Sequence, residues 1–106
     1  MPFRDTEIEG LKIFEPSIIQ DKRGYFCETY NAKRFSENGI DNIFVQDNQS
    51  KSFKGVLRGL HYQCGEHAQA KLVRVIQGEV QDVAVDLRKD SPTYGQYHSV
   101  ILSETN

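Results

Sequence analysis

The feature that most constrains the fold of this chain is the regular spacing of its turn residues. Short β-prone runs alternate with turn residues along almost the whole length of the chain. Pro16, Gly39 and Gly78 each mark a break between apolar or aromatic runs. Only residues 32–38 have the pattern of a helix, with Asn31 as N-cap and Gly39 at the end. Many short strands and almost no helix predict an all-β antiparallel sandwich or small barrel.

The remaining runs divide into strands. They are two short strands within 7–20 and strands at 25–30, 43–50, 55–63, 72–76, 79–87 and 97–102. Gln77-Gly78 predicts a tight hairpin turn that pairs 72–76 with 79–87. In that register Asp82 is a diagonal neighbour of Lys71 and would support it electrostatically. The alternative is an ordinary ion pair on the surface.

Length and composition limit the classes of function. A chain of 106 residues predicts a single domain, 1–106, and 38% apolar with 26% charged residues suits a globular protein. A net charge of −2 with mixed signs gives no reason to expect nucleic acid as a partner, and no apolar run has the length of a membrane span. Cys27 and Cys64 lie far apart in no metal-type spacing, which favours the cytoplasm.

The segment from Phe44 to Lys71 is unusually rich in groups that can contact a small polar ligand. These groups are Gln46, Asp47, Asn48, Arg58, His61, Gln63 and Lys71. The runs at both ends of the segment are apolar and β-prone, so the polar groups are embedded in strands. Such an arrangement is typical of a binding site on a rigid scaffold.

The spacing of this segment resembles the first motif of the cupins, which are small jelly-roll barrels. Gly55 and His61 stand at motif positions, but Gln63 replaces the second histidine and Lys71 replaces the glutamate. An ammonium at a carboxylate position repels a divalent cation, so we predict no metal. His67 is an alternative ligand, although a loop histidine of this kind is more often plain surface polarity.

One imidazole and one fixed cation suit proton abstraction from carbon beside a carbonyl. His61 would take the proton, and Lys71 would stabilise the enolate oxygen. The alternative is that His61 is a structural hydrogen-bonding group. Arg58 and His61 have opposite strand parity, and we predict a bulge at Gly59 that turns both inward.

Several separate blocks identify the chain as similar to one family. They are R-G-Y-F-C-E-T-Y-N, F-V-Q-D-N-Q-S-K-S, K-G-V-L-R-G-L-H-Y-Q, A-Q-A-K-L-V-R-V and G-E-V-Q-D-V-A-V-D-L-R-K-D-S-P-T-Y-G. In order and spacing they resemble the dTDP-4-dehydrorhamnose 3,5-epimerase family from Glu7 onward. The resemblance implies a cupin-type jelly roll, a homodimer and a dTDP-4-keto-6-deoxy sugar as substrate. It implies inversion at C3 and C5 without metal or organic cofactor.

The resemblance also implies roles for individual residues. By position His61 would be the general base, Lys71 would stabilise the enolate, and Arg58 would contact the diphosphate or sugar. The nucleotide and sugar pocket would be completed by Gln46, Asp47, Asn48, Arg23 and Glu28. In this family the last two come from the partner subunit. Phe26 would either stack on the base or belong to the core.

The chain also departs from the family, whose members continue for roughly as much chain again. The tyrosine that acts as the opposite acid and the aspartate that orients the histidine have no counterpart in this sequence. We therefore expect a truncated, N-terminal portion of the jelly roll that is inactive or poor on its own. The alternatives are a single-centre epimerase on a related keto sugar, a non-catalytic sugar-nucleotide-binding module, and a metal-dependent cupin oxygenase, against which the replaced ligands argue.

Overall fold

The computed structural model describes residues 2–106 as three separate two-stranded antiparallel sheets with one α-helix. β1 (Phe3–Asp5) pairs with β2 (Lys12–Phe14), and β3 (Ile18–Asp21) pairs with β4 (Gly24–Cys27). β2, β3 and β4 confirm strands that the sequence predicts. β1 has no predicted counterpart, because its polar residues interrupt the apolar alternation on which such a prediction depends.

The helix α1 (Ala32–Glu37) forms where its capping signals place it. The side chain of Asn31 accepts a hydrogen bond from the backbone N–H of Arg34 at 3.1 Å, which satisfies one of the free donors of the first turn. The Gly39 N–H donates to the Ser36 carbonyl at 3.0 Å, and Gly39 takes the positive φ that ends many helices. Both predicted ends of the helix are thereby confirmed to within a residue.

The core of this part of the molecule is an aromatic cluster around the helix. Phe35 is 1% exposed, and its ring lies 4.7–5.0 Å from the rings of Phe3, Phe14 and Tyr30. The ring of Phe44 lies 5.6 Å from that of Tyr30. Full burial of one phenylalanine contributes about 1.5–3 kcal/mol. Because Phe44 contacts this cluster through Tyr30, the cluster fixes the position at which the candidate site segment begins.

The longest ladder joins β5 (Glu79–Val85) to β6 (Tyr97–Ser103), with Glu79 opposite Ser103 and Val85 opposite Tyr97. β6 confirms the last predicted strand. The predicted hairpin between 72–76 and 79–87 is wrong. Gly78, its expected turn residue, instead bonds the far end of β6: its carbonyl accepts from the Glu104 N–H at 3.0 Å, and its N–H donates to the Glu104 carboxylate at 2.7 Å.

The connection between β5 and β6 is organised by one buried carboxylate. Asp86 is 4% exposed and accepts hydrogen bonds from Arg88 Nε (2.9 Å), Ser91 Oγ (2.5 Å) and Thr93 Oγ1 (2.6 Å). The Arg88 guanidinium, and then the two hydroxyls, hold the pKa of Asp86 far below its ordinary value. The Gly95 N–H closes the loop by donating to the Asp86 carbonyl at 2.7 Å.

The segment that carries most of the candidate site has no ladder partner among residues 2–106. The predicted strands at 43–50, 55–63 and 72–76 are therefore wrong as paired strands of the described chain. Their side chains are mostly exposed, including Ile43 at 87%, Val45 at 89% and Leu57 at 91%. Exposed apolar side chains on unpaired backbone are typical of surfaces that contact other protein segments.

The overall dimensions agree with this. The radius of gyration is 15.3 Å, compared with about 13 Å for a compact domain of this length. The accessible surface is 9482 Å², compared with about 6,000 Å² for a compact monomer of this mass. Within residues 2–106, none of the helices combines the length and the apolar character that crossing a bilayer requires.

Candidate functional site

The polar segment begins with two extended arms joined by a turn. The first arm is residues 43–52, and the second arm is residues 57–63. The turn runs from Phe53 to Val56, whose N–H donates to the Phe53 carbonyl at 3.2 Å. Gly55 sits at the third turn position with φ of 87°, a conformation that favours glycine. This turn brings the two arms into neighbouring positions.

The first arm presents two amides on one face. The side-chain N–H of Gln46 donates to the side-chain oxygen of Asn48 at 3.2 Å, as expected for residues two apart on extended backbone. Asp47 lies between them in the sequence, and all three side chains are exposed. The structure therefore brings Gln46 and Asn48 together as a pair of amide groups on an open surface.

The second arm carries Arg58, whose guanidinium reaches back across the turn. Its Nε donates to Ser52 Oγ at 2.8 Å, and its Nη2 donates to the Lys51 carbonyl at 3.3 Å. The contact between Arg58 and Ser52 is not predicted from the sequence. The available signal is a serine and an arginine placed on either side of a turn marked by Gly55.

His61 lies beside the strand β5. It lines a half-open cavity of about 280 Å³ between the second arm and that strand. The lining residues are Leu60, His61, Tyr62, Val83, Ala84, Val85 and Leu87. Gly59 has φ of 115°, so the chain departs from regular strand geometry between Arg58 and His61, where we predict a bulge.

Lys71 is exposed and stands outside the lining of this cavity. Asp82 is half-buried on β5, opposite Val100 of β6. The register that suggests an Asp82–Lys71 pair is wrong, because the predicted ladder between 72–76 and β5 does not form among residues 2–106. The supporting role of Asp82 stays a prediction that has lost its structural premise.

The hairpin of β3 and β4 carries Arg23 and Phe26. Arg23 Nε and Nη2 both donate to the Asp21 carboxylate, at 3.1 and 2.6 Å, and this guanidinium lowers the pKa of Asp21. Phe26 is 69% exposed, so the core interpretation of this residue is wrong for the described chain. An exposed aromatic ring and a cation on one hairpin are suitable groups for a nucleotide.

Glu28 follows β4 and is held by the helix. Its carboxylate accepts from Arg34 Nη1 at 3.1 Å and from Asn31 Nδ2 at 3.4 Å. The cap of α1 and this acidic residue are thus linked, and the helix fixes where the carboxylate points. Chemically, the oriented oxygens can accept hydrogen bonds from ligand hydroxyl or N–H groups.

Metal binding depends on several donor side chains meeting at one point. Across residues 2–106, no group of three or more histidine, cysteine, aspartate or glutamate side chains could hold a metal ion. His67 and Glu66 contact each other at 3.5 Å on an exposed 3₁₀ turn, Gly65–His67. The absence of a metal or cofactor in the reaction stays a prediction from the replaced cupin ligands.

Comparison with known proteins gives one family. The family model for dTDP-4-dehydrorhamnose 3,5-epimerase matches residues 5–106. A relative of that name from Methanothermobacter thermautotrophicus is 57% identical over 104 residues, which are 98% of this chain and 56% of the relative. The chain thus spans about half the length of the curated relatives it matches.

Two solved structures extend the similarity to the backbone. A Legionella pneumophila dTDP-6-deoxy-D-glucose-3,5-epimerase in complex with dTDP-4-keto-L-rhamnose has a TM-score of 0.92 at 57% identity and covers 98% of this chain and 55% of its own. The Bacillus anthracis dTDP-4-dehydrorhamnose 3,5-epimerase, with TDP and PPi bound, has a TM-score of 0.93 at 46% identity and covers 98% and 60%. The predicted fold class, a cupin-type jelly roll with one short helix, is confirmed.

Proposed function

The chain belongs to the dTDP-4-dehydrorhamnose 3,5-epimerase family, and we propose that residues 1–106 are the N-terminal portion of a jelly roll with an epimerase site. The proposed reaction inverts C3 and C5 of dTDP-4-dehydro-6-deoxy-D-glucose to give dTDP-4-dehydro-L-rhamnose. It would serve dTDP-rhamnose biosynthesis for cell-surface polysaccharide in the cytoplasm. The observation that carries the proposal is the family match, because residues 5–106 include every residue assigned to the site.

The proposed chemistry is enolisation next to the C4 ketone. His61 accepts the proton from C3 or C5, and the electron pair of the broken C–H bond forms the enolate double bond to C4. The charge that develops on the C4 oxygen is stabilised by the ammonium of Lys71. The position of His61 in a cavity beside β5 supports its assignment as the base, because there its ring can approach a carbon acid.

Recognition of the nucleotide is assigned to the exposed polar groups of the two hairpins. Arg58 and Arg23 supply guanidinium groups for the diphosphate, and Phe26 supplies a ring for the base. Gln46, Asp47, Asn48 and Glu28 complete the contacts to sugar and nucleoside. The ligands bound in the Legionella and Bacillus structures, a dTDP-keto sugar and TDP, support this class of substrate.

Inversion requires a proton to arrive from the face opposite the one that loses it. His61 alone cannot serve both faces in one pose of the substrate. Inversion therefore needs a second group on the opposite face of the sugar in addition to His61. Exchange at both C3 and C5 would favour the two-centre reaction, and exchange at one of them would favour the single-centre alternative.

The test follows deuterium incorporation at C3 and C5 of the keto sugar in heavy water. His61→Ala should lower the exchange rate by at least about 100-fold, as expected for the loss of a general base. His67→Ala is the matched control, because it removes an exposed imidazole outside the cavity. If exchange persists in His61→Ala at the unaltered rate, the assignment of the base is wrong.

We also propose that the protein acts as a homodimer. The support is the family match together with the exposed apolar side chains of the two arms. In the proposed dimer Arg23 and Glu28 would serve the site of the partner subunit. A closed twofold contact of this kind would protect backbone edges that otherwise favour aggregation.

A further inference from the structure

The strongest unassigned feature is the way in which the turn at Phe53–Val56 holds the side chain of Arg58. Ser52 and Arg58 lie on opposite sides of this turn, and Arg58 Nε donates to Ser52 Oγ at 2.8 Å. Arg58 Nη2 donates to the Lys51 carbonyl at 3.3 Å. A side chain with several rotatable bonds is thus attached at two points to the opposite arm.

The two contacts use one edge of the guanidinium. Nε–H and one N–H of Nη2 point to the same side of the planar group, so Ser52 and Lys51 occupy that edge together. Within residues 2–106, the donors on the end-on edge formed by Nη1 and Nη2 have no hydrogen-bond partner. This free edge has the geometry that binds two oxygens of a phosphate at once.

The contacts of Arg58 with Ser52 and Lys51 together form a clamp. The side chain of Lys51 makes a further contact within the same turn. Lys51 Nζ lies 5.8 Å from the centroid of the Phe53 ring, a cation–π contact within the same turn. The side chain of Lys51 is therefore turned towards Phe53 while its carbonyl accepts from Arg58. Ser52 is the residue whose substitution can test the clamp. Its hydroxyl is the only side-chain acceptor that Arg58 contacts in residues 2–106, whereas Lys51 contributes its backbone carbonyl.

We propose that Ser52 is a positioning residue that presents the free edge of Arg58 to the diphosphate of the substrate. The inference rests on the proposed function, which assigns the diphosphate to Arg58. Without Ser52 the guanidinium would still be present, but it would sample several orientations. Ordering it again on binding would cost affinity, because each immobilised long side chain loses conformational freedom.

The first experiment needs no ligand. In the 15N-labelled full chain, the Nε–Hε cross-peak of Arg58, assigned by its loss in Arg58→Lys, reports exchange of that proton with water. Ser52→Ala should accelerate the exchange about fivefold or more, and Ser52→Thr, which keeps the hydroxyl, should restore it. Ser17→Ala is the control at an exposed serine between β2 and β3. An exchange rate in Ser52→Ala within twofold of the parent value would overturn the proposal.

The second experiment titrates TDP into the same variants and into Arg58→Ala. We expect Ser52→Ala to raise the Kd for TDP about three- to tenfold, Ser52→Thr to leave it near the parent value, and Arg58→Ala to raise it most. If Arg58→Ala weakens binding and Ser52→Ala does not, the positioning proposal is overturned and the proposed function stands.

If Arg58→Ala leaves binding unchanged, the diphosphate role of Arg58 fails, and with it the positioning role of Ser52, even where the exchange experiment shows the clamp. Circular dichroism verifies the fold of each variant. If Ser52→Ala does not fold, Ser52→Cys replaces it in both experiments, because a thiol is a poor acceptor of similar size.

Discussion

A single carboxylate determines the shape of the loop between β5 and β6. Asp86 Oδ1 accepts from the Arg88 N–H (3.0 Å) and Nε (2.9 Å), while Oδ2 accepts from Arg88 Nη2 (3.1 Å), Ser91 Oγ and Thr93 Oγ1. A buried acceptor with this many donors cannot be removed without leaving the donors unpaired. The loop joins β5 to β6, so its order bears directly on the strand that lines the cavity of His61.

Replacing this carboxylate by an amide should therefore be costly. In Asp86→Asn an NH₂ group would face the donors of Arg88, which cannot become acceptors, so we expect Tm to fall by about 5–10 °C. Asp90→Asn is the control, because it removes the same charge from an exposed position in the same loop. Thermal unfolding followed by circular dichroism gives both values. Equal Tm values for the two variants would contradict the role given to Asp86.

The same residue predicts a pH dependence. Because the pKa of Asp86 is depressed in the folded chain, its stabilisation is present above the unfolded pKa of about 4 and is lost as the pH falls below it. The difference in Tm between the parent chain and Asp86→Asn should be constant between pH 5 and 7 and should narrow towards pH 2. If this difference in Tm instead grows as the pH falls, the pKa of Asp86 is not depressed in the folded chain.

At the scale of elements, the turn at Phe53–Val56 connects the two arms of the candidate site. A Cβ at Gly55 would meet no heavy atom within 4 Å, so only the φ of 87° opposes a side chain there. We expect Gly55→Ala to destabilise the turn by about 1–2 kcal/mol, because an L-residue rarely adopts this conformation.

The readout for Gly55→Ala is again the Nε–Hε exchange of Arg58, since opening the turn separates this side chain from Ser52. Lys54→Ala is the matched control at the adjacent turn position, where φ is not positive. Slower or unaltered exchange in Gly55→Ala would mean that the turn does not set the position of Arg58.

Sequence predicts those elements whose signals are local. Asn31 and Gly39 fix the ends of α1 because both caps act within one turn of the helix. The hairpin at Gln77-Gly78 fails because strand pairing is not local: β5 selects β6 across a loop that Asp86 organises. Gly78 bonds Glu104, 26 residues away, and no local turn signal reports such a contact.

The candidate site divides in the same way. The motif identifies His61, Arg58 and the amides of the first arm as residues that can bind or react, and the structure places these groups on two arms of one turn. The clamp by Ser52 depends on a side chain that crosses the turn, and no periodicity reports such a contact. The supporting role of Asp82 depends on the predicted pairing of 72–76 with 79–87. Among the described residues β5 pairs with β6 instead, so this basis for the role is lost.

At the scale of the whole molecule, the arms are the part of the chain that most needs a covering surface. Val45 and Leu57 are 89% and 91% exposed, one on each arm, so both apolar side chains are accessible to a partner surface.

We therefore expect sedimentation velocity to show a dimer at micromolar concentration. Val45→Glu with Leu57→Glu should shift the equilibrium towards monomer, because charges on the arms would have to be desolvated in the contact. The control is Ser17→Glu with Gln77→Glu, which makes the same change in net charge at exposed neutral residues outside the arms. If the parent chain is monomeric, or if both double variants sediment alike, the arms are not the dimer surface.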